Sequence, residues 1–302
     1  MKLLTLAVPT YNRKESCLIT VNNFISQIIE NKLQDVVEIF ISDNCSTDGT
    51  TELLTALAEK YPDILRLKVQ DENIGMGYNF VYLIENTSSK YIQLCSDDDI
   101  YHPEMISKTI SILKEDNIDY LFLNCHWEKL KINSVELKTD LYDNFKNVFK
   151  LLLDKATHIS PTVVRTDLIK NIKTQNLEWT MFERVVQLPA DANASILKEP
   201  LVSCDNSTDE NHWLQDKRVC TLYFAGLLRI ALKEINNPNM KDNFPHFSNY
   251  CKNMILRFFD NNSLENKNKK YKKRLKVLYW IVSISLFLLS LEFIYILILL
   301  NK

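Results

Sequence analysis

Tyr91-Ile92-Gln93-Leu94-Cys95-Ser96-Asp97-Asp98-Asp99 runs from an apolar segment straight into three consecutive carboxylates, and Ile100-Tyr101-His102-Pro103 follows. Carboxylates crowded at a strand end repel one another unless a cation sits among them, and hard divalent cations prefer carboxylate oxygens. Asp97 and Asp98 therefore read as chemistry. Asp99 or His102, standing before Pro103, reads as the N-terminal punctuation of a following helix, and Asp99 in particular as its cap.

Upstream, the same rhythm repeats. Apolar runs at 3–8, 36–42, 65–69, 91–95 and 120–125 predict strands, and the stretches 14–30, 48–59, 78–85 and 103–116 carry apolar residues at helical spacing. Such alternation predicts a βα-layered, largely parallel sheet. Polar clusters mark the strand-to-helix passages, where open α/β sheets place their sites. In Val8-Pro9-Thr10-Tyr11-Asn12-Arg13, Pro9 is expected to stop the strand, leaving Thr10, Tyr11 and Arg13 as a floor for a base or phosphate. In Ser42-Asp43-Asn44-Cys45-Ser46-Thr47-Asp48-Gly49-Thr50, Asp48 reads as a helix cap, whereas Asp43 reads as a ligand to a base or ribose because no structural role is evident for it. In Asp71-Glu72-Asn73-Ile74-Gly75-Met76-Gly77, Asn73, Gly75 and Gly77 permit a tight turn and close approach to a ligand.

After Cys125 the pattern changes. Residues 128–138 alternate as a half-exposed strand or hairpin would, 143–154 and 177–188 read as helices, 161–165 and 194–203 as strands, and 213–259 as helical. The histidines at 126, 158 and 212 are too scattered to form a ligand set, and Trp179 and Trp213 read as core or as the lining of a groove.

A formal net charge of −2 over 302 residues gives no basic face of the kind nucleic-acid binders carry. Seven cysteines, odd in number and without a C-x-x-C pair, read as reduced and mostly buried thiols, which fits a reducing cytoplasm. The apolar start is cut off by Pro9 before a secretory core could form. Residues 277–300 are nearly all apolar, long enough for a membrane helix, and Lys267 to Lys276 form a basic collar before them. Glu292 interrupts that run, so anchoring is expected without insistence on a full crossing. The collar predicts that the globular part faces the cytoplasm.

Taken in order, these clusters resemble the family 2 glycosyltransferases, over about the first 125 residues. The residues 8–13 look like the family's opening motif, 42–50 its nucleoside segment, 73–77 its middle loop, and 96–103 its metal motif. The resemblance implies a GT-A fold: a Rossmann-like, mostly parallel central sheet flanked by helices, here followed by a C-terminal helical region and a hydrophobic membrane-associated helix. It implies a nucleotide-sugar donor held by Pro9, Thr10, Tyr11, Arg13, Asp43, Asn73, Gly75 and Asp97. Asp98, with Asp97, would hold Mg²⁺ or Mn²⁺ against the diphosphate. Many members carry aspartate where this chain has Ser96, and Asp97 with Asp98 covers both alignments.

An inverting member also needs a general base, and Glu178, with Glu183 in reserve, stands in the segment resembling that region; both also read as solvated helix acids. The implied layout is a donor-binding half over 1–125, an acceptor and base half over 126–215, a helical region with the basic segment over 216–276, and a membrane helix over 277–300. The expected partners are a nucleotide-sugar donor, a glycan or lipid-linked acceptor and the membrane, with surface-polysaccharide synthesis (lipopolysaccharide or capsule) at the cytoplasmic face as the setting and no nucleic acid. A nucleotidyltransferase or a non-catalytic membrane scaffold on the same fold are the alternatives. The first lacks its glycine- and lysine-rich phosphate loop here.

Overall fold

The computed structural model describes residues 1–115, 117–126, 133–152, 158–174, 179–203, 230, 233–234, 236–241 and 243. In chain order these form β1 (Leu4–Thr10), α1 (Lys14–Glu30), β2 (Val37–Asp43), α2 (Thr50–Lys60), β3 (Leu65–Val69), α3 (Met76–Glu85), β4 (Tyr91–Leu94), β5 (Ile100–Tyr101), α4 (Met105–Glu115), β6 (Tyr120–Phe122) and β7 (Cys125–His126). There follow β8 (Leu141–Asn144), α5 (Phe145–Leu151), β9 (Thr162–Arg165), α6 (Thr166–Lys170), α7 (Thr180–Val185), β10 (Asn193–Ile196), β11 (Val202–Ser203) and α8 (Pro238–Lys241).

Eight strands make one sheet in the order β3-β2-β1-β4-β9-β6-β10-β8. β1 runs parallel to β2 and β4, β2 parallel to β3, and β6 parallel to β10, while β9 is antiparallel to both β4 and β6 and β8 antiparallel to β10. Six strands therefore share one direction. β1 shows why: Leu4, Thr5, Leu6, Ala7 and Val8 are all buried, as a strand covered by helices on both faces requires. The chain steps outward through β2 to β3, and α3 then brings it back over β2 and β1 to β4 on the far side of β1. Strand order reverses between β1 and β4, and the carboxyl ends of those two strands flank the resulting crevice.

Register fixes what lines that crevice. β4 pairs only as far as Leu94 opposite Ala7, whereas β1 continues beside β2 to Thr10 opposite Asp43. Pro9 does not stop the strand. Ala7 accepts the Cys95 N–H on the β4 side, so Pro9, two residues on, turns its missing donor toward a ladder that has already ended.

The second half departs further from expectation. The apolar run 120–125 is broken by Asn124, whose φ of 50° sends β7 into a small second sheet with β11 and β5. The single strand expected over 194–203 is two strands in two sheets for the same reason: β10 completes the large sheet and β11 the small one. Within the stretch expected to be a hairpin, residues 133–138 form no strand; Val135 is held instead by the Asn124 side chain, which accepts its N–H and donates to its carbonyl. Asp143 and Asn144 belong to β8, with Asn144 capping α5 through the Asn147 N–H. α4 starts at Met105 rather than Pro103, and the helix expected over 177–188 is confined to Thr180–Val185 among the described residues.

Tyr120, Phe145, Phe149, Phe182 and Trp179 form a chain of ring contacts under this half, so Trp179 is core. Cys17, Cys95 and Cys125 are buried and free, as expected of structural thiols, and burial pushes the Cys95 thiol well above its ordinary range. No described helix is long and apolar enough to cross a membrane. The apolar run 277–300, the basic collar, Glu178, His212 and Trp213 lie outside the described residues.

Candidate active site

Where β4 ends short, the chain folds back across the crevice. Thr10, the last residue of β1, donates its hydroxyl to Asp97 Oδ2 at 2.6 Å, and Thr20 of α1 donates to the Asp97 carbonyl at 3.3 Å. Arg13 donates from Nη1 to Asp98 Oδ2 at 2.6 Å, and the Ser96 hydroxyl occupies Asp98 Oδ1. Burial, with the Asp98 charge adding to it, pushes the Asp97 carboxyl up to about 7, against the opposing pull of Arg13 and Thr10. The expectation that crowded carboxylates need a cation among them is met here by Arg13, a residue that the sequence pattern alone points toward the ligand.

The same loop is fastened from behind by Ser160, a residue that no sequence motif marks. Ser160 Oγ accepts the Ser96 N–H at 3.0 Å and the Tyr101 hydroxyl at 3.1 Å, and donates to Asp99 Oδ2. Tyr101 has a single hydrogen, shared between Ser160 Oγ and the nearer Ser96 carbonyl at 2.9 Å, and Gln93 of β4 donates to the Ser160 carbonyl at 2.6 Å. Asp99 is thus a tie to the turn entering β9 and not a helix cap. The cap falls to His102, whose Nδ1 accepts the Glu104 N–H at 3.3 Å and whose carbonyl accepts that of Met105. The Ser-Pro pair at 160–161 ahead of a strand is the one local signal for this hub.

Asp43 stands at the carboxyl end of β2, fully buried. Contrary to expectation it serves the fold directly. Oδ1 accepts the backbone N–H and hydroxyl of Ser46, and Oδ2 accepts the Thr51 hydroxyl, which folds residues 43–51 into a compact turn. One lone-pair site, on Oδ2, stays spare for a further donor. Asp48 caps α2 through the Thr50 N–H at 3.0 Å, as read from the sequence, and also accepts the Lys14 N–H at 3.2 Å. Asn12, at φ 52°, links the two loops, donating its N–H to Ser46 and accepting the Thr47 N–H.

Asn73 Oδ1 accepts from the Asn44 amide at 2.8 Å and from the Gly75 N–H at 2.9 Å, so the loop before α3 is tied to the end of β2. Gly75, at φ 82° and ψ 154°, has a backbone open to glycine almost alone. Tyr11, Met76 and Tyr78 are all exposed, at 43%, 51% and 57%. Pro9, Thr10, Tyr11, Arg13, Asp43, Asp97 and Asp98 therefore gather at the ends of β1, β2 and β4, with Asn73 and Gly75 at the entry to α3. Glu183 stands on α7 instead, 1% exposed and paired with Lys233 at 3.3 Å, so it is not the solvated helix acid that its sequence context suggests. Its neighbour Arg184, equally buried, donates to the Ile169 and Lys170 carbonyls, closing the C-terminal end of α6.

Among the described residues no set of three or more His, Cys, Asp and Glu forms a metal cage. Adjacent Asp97 and Asp98 nevertheless fit a Mg²⁺ or Mn²⁺ ion, which is usually bound by one or two carboxylates together with substrate phosphates. The buried, charge-crowded Asp97 carboxyl is the kind of donor that a divalent cation relieves.

Comparison with known proteins gives one consistent result. An uncharacterized glycosyltransferase of Rickettsia conorii is 23% identical over 89% of this chain and 42% of its own length. The abequosyltransferase RfbV of Salmonella typhimurium is 32% identical over 32% of this chain and 28% of its own. The chain thus spans less than half the length of these curated relatives. The Staphylococcus aureus TarS fragment solved with UDP-GlcNAc superposes with a TM-score of 0.62 at 17% identity, over 90% of this chain and 78% of that one. A mannosyltransferase of Pyrobaculum calidifontis, solved with GDP-Man and Mn²⁺, gives 0.58 at 15% identity over 94% and 80%. These solved structures share the GT-A fold. The sequence profile described as Glycosyl transferase family 2 matches residues 5–167, more than half of the chain, and the protein belongs to that family.

Proposed function

We propose that this protein transfers a sugar from a nucleoside-diphosphate donor to a glycan acceptor with inversion at the anomeric carbon. The observation that carries the reading is the convergence of Thr10, Arg13, Asp97 and Asp98 at the switch point between β1 and β4, where an open α/β sheet receives a nucleotide. Asp43 and the 73–77 loop take the nucleoside side, and Asp98 with Asp97 takes the cation. A bound Mg²⁺ or Mn²⁺ supplies neutralisation of the charge that grows on the departing diphosphate. Arg13 adds a positive charge beside the same position. The co-structures of TarS with UDP-GlcNAc and of the Pyrobaculum enzyme with GDP-Man and Mn²⁺ support a donor and cation of this class.

The acceptor hydroxyl needs a base, and Glu178 is our assignment, since Glu183 is engaged with Lys233. A lipid-linked acceptor of a surface polysaccharide, met at the cytoplasmic face of the cell membrane, is supported by the apolar run 277–300 with its basic collar and by the abequosyltransferase relative.

A panel of nucleotide sugars with Mn²⁺ or Mg²⁺, offered with lipid-linked acceptors, tests this reading. Turnover of one donor that vanishes in Asp98→Asn establishes the class, and Glu178→Gln is expected to bind donor normally while losing transfer. Nucleotidyl transfer in place of glycosyl transfer, or neither turnover nor donor binding by folded protein, overturns it, the latter in favour of a scaffold.

A further inference from the structure

The carboxylate assigned to the cation already has a counter-ion built into the fold. Arg13 and Asp98 meet at 2.6 Å with side chains 22% and 11% exposed, so solvent and salt screen them less than a surface pair. The Arg13 backbone is held firmly: its carbonyl accepts the Cys17 N–H at the first turn of α1, and Asn12 beside it is pinned to Ser46 and Thr47. A change of partner at this residue is therefore a change at its side chain alone. On the other partner the Ser96 hydroxyl already takes one lone pair of Asp98 Oδ1, so a second cation competes with Arg13 for the same carboxylate, most directly at Oδ2, the oxygen under the guanidinium. Both positive charges cannot share that oxygen without repelling one another.

We propose that Arg13 is the resident counter-ion of Asp98, and that a divalent cation gains Asp98 only as the guanidinium transfers to the diphosphate of the donor. A planar guanidinium matches phosphate oxygens at least as well as a carboxylate, so the donor offers Arg13 a partner equal to the one that it gives up. The inference rests on the role given to Asp98 in the proposed function. It makes cation and nucleotide bind together: the cation alone meets a competitor, and the nucleotide removes that competitor. Arg13 is on this account a positioning residue that sets the coupling between the two.

Free Mn²⁺ measured by electron paramagnetic resonance on the full chain, alone and with UDP or GDP, tests it without relying on turnover. Arg13→Gln is expected to tighten Mn²⁺ binding in the absence of nucleotide by about tenfold and to weaken UDP or GDP binding by about as much. Arg13→Lys, which keeps the charge, should stay within about threefold of wild type for Mn²⁺ alone. Arg13→Met carries the same expectation as Arg13→Gln should the latter fail to fold. Loss of Mn²⁺ in Asp98→Asn with no gain in Arg13→Gln or Arg13→Met overturns the inference and leaves the site assignment standing. Unchanged Mn²⁺ binding in Asp98→Asn removes the site assignment itself, and the inference with it.

Discussion

Thr10 donates its hydroxyl to Asp97 across 2.6 Å, joining the end of β1 to the loop after β4 and closing the crevice between the two strands where their order reverses. Thr10 is 4% exposed and Asp97 8%, so neither partner has water to turn to. Thr10→Val keeps the shape and removes the donor. It is expected to cost about 1–3 kcal/mol of stability, the range for stranding a buried polar group, and to weaken donor binding. Urea denaturation and nucleotide titration of the same variant check both.

The Asp97 carboxyl titrates at about 7 in the folded chain, raised by burial and by Asp98. A carboxyl whose folded value lies above its ordinary one contributes stability that is complete at low pH and is lost as pH rises toward the folded value. The cation-free protein should therefore lose stability between about pH 4 and pH 7, and Asp97→Asn should flatten that slope. Denaturation curves across this window give the comparison. A slope equal in both proteins would refute the assignment.

Ser160 serves Ser96, Asp99 and Tyr101 through one hydroxyl. Ser160→Ala leaves the half-buried Ser96 N–H without its acceptor and the Asp99 carboxylate without its donor, while Tyr101 keeps the Ser96 carbonyl, with an expected cost of about 1–3 kcal/mol. Because the hub fixes the backbone next to Asp97 and Asp98, Mn²⁺ affinity should fall with stability. Ser160→Thr, which restores the hydroxyl, should recover much of both if the larger side chain is accommodated. Thermal melts with Mn²⁺ titration separate the two effects.

Asn124 holds a left-handed backbone and, with its side chain, both polar groups of Val135 and the Lys198 carbonyl. Asn124→Gly relieves the backbone but loses those bonds, whereas Asn124→Ala suffers on both counts. Alanine is expected to be the worse by about 1 kcal/mol, read from paired denaturation midpoints.

How much of the fold and site is legible in the sequence follows from the range of each interaction. The strand-to-helix rhythm of residues 3–115, the carboxylates at 97 and 98 and the cap at Asp48 are written in neighbours a few positions apart, where periodicity and cap chemistry are local. Asp43 can be placed at a strand end but not given its partners, because Ser46 and Thr51 reach it only once the loop has folded. The limits of the strands in the second half are hidden too, since the positive φ of Asn124 divides a run that is otherwise apolar.

The sequence alone determined that a parallel α/β layer would present carboxylates at the end of its fourth strand, because side-chain alternation and turn chemistry act over a few residues. Only the tertiary structure decided what those carboxylates meet. Arg13 reaches Asp98 over 85 positions, Thr10 reaches Asp97 over 87, and Ser160 reaches Asp99 over 61. Contacts of that span depend on strand order and register, and these are set when the α3 crossover lays β4 beside β1 and ends it three residues short of Thr10.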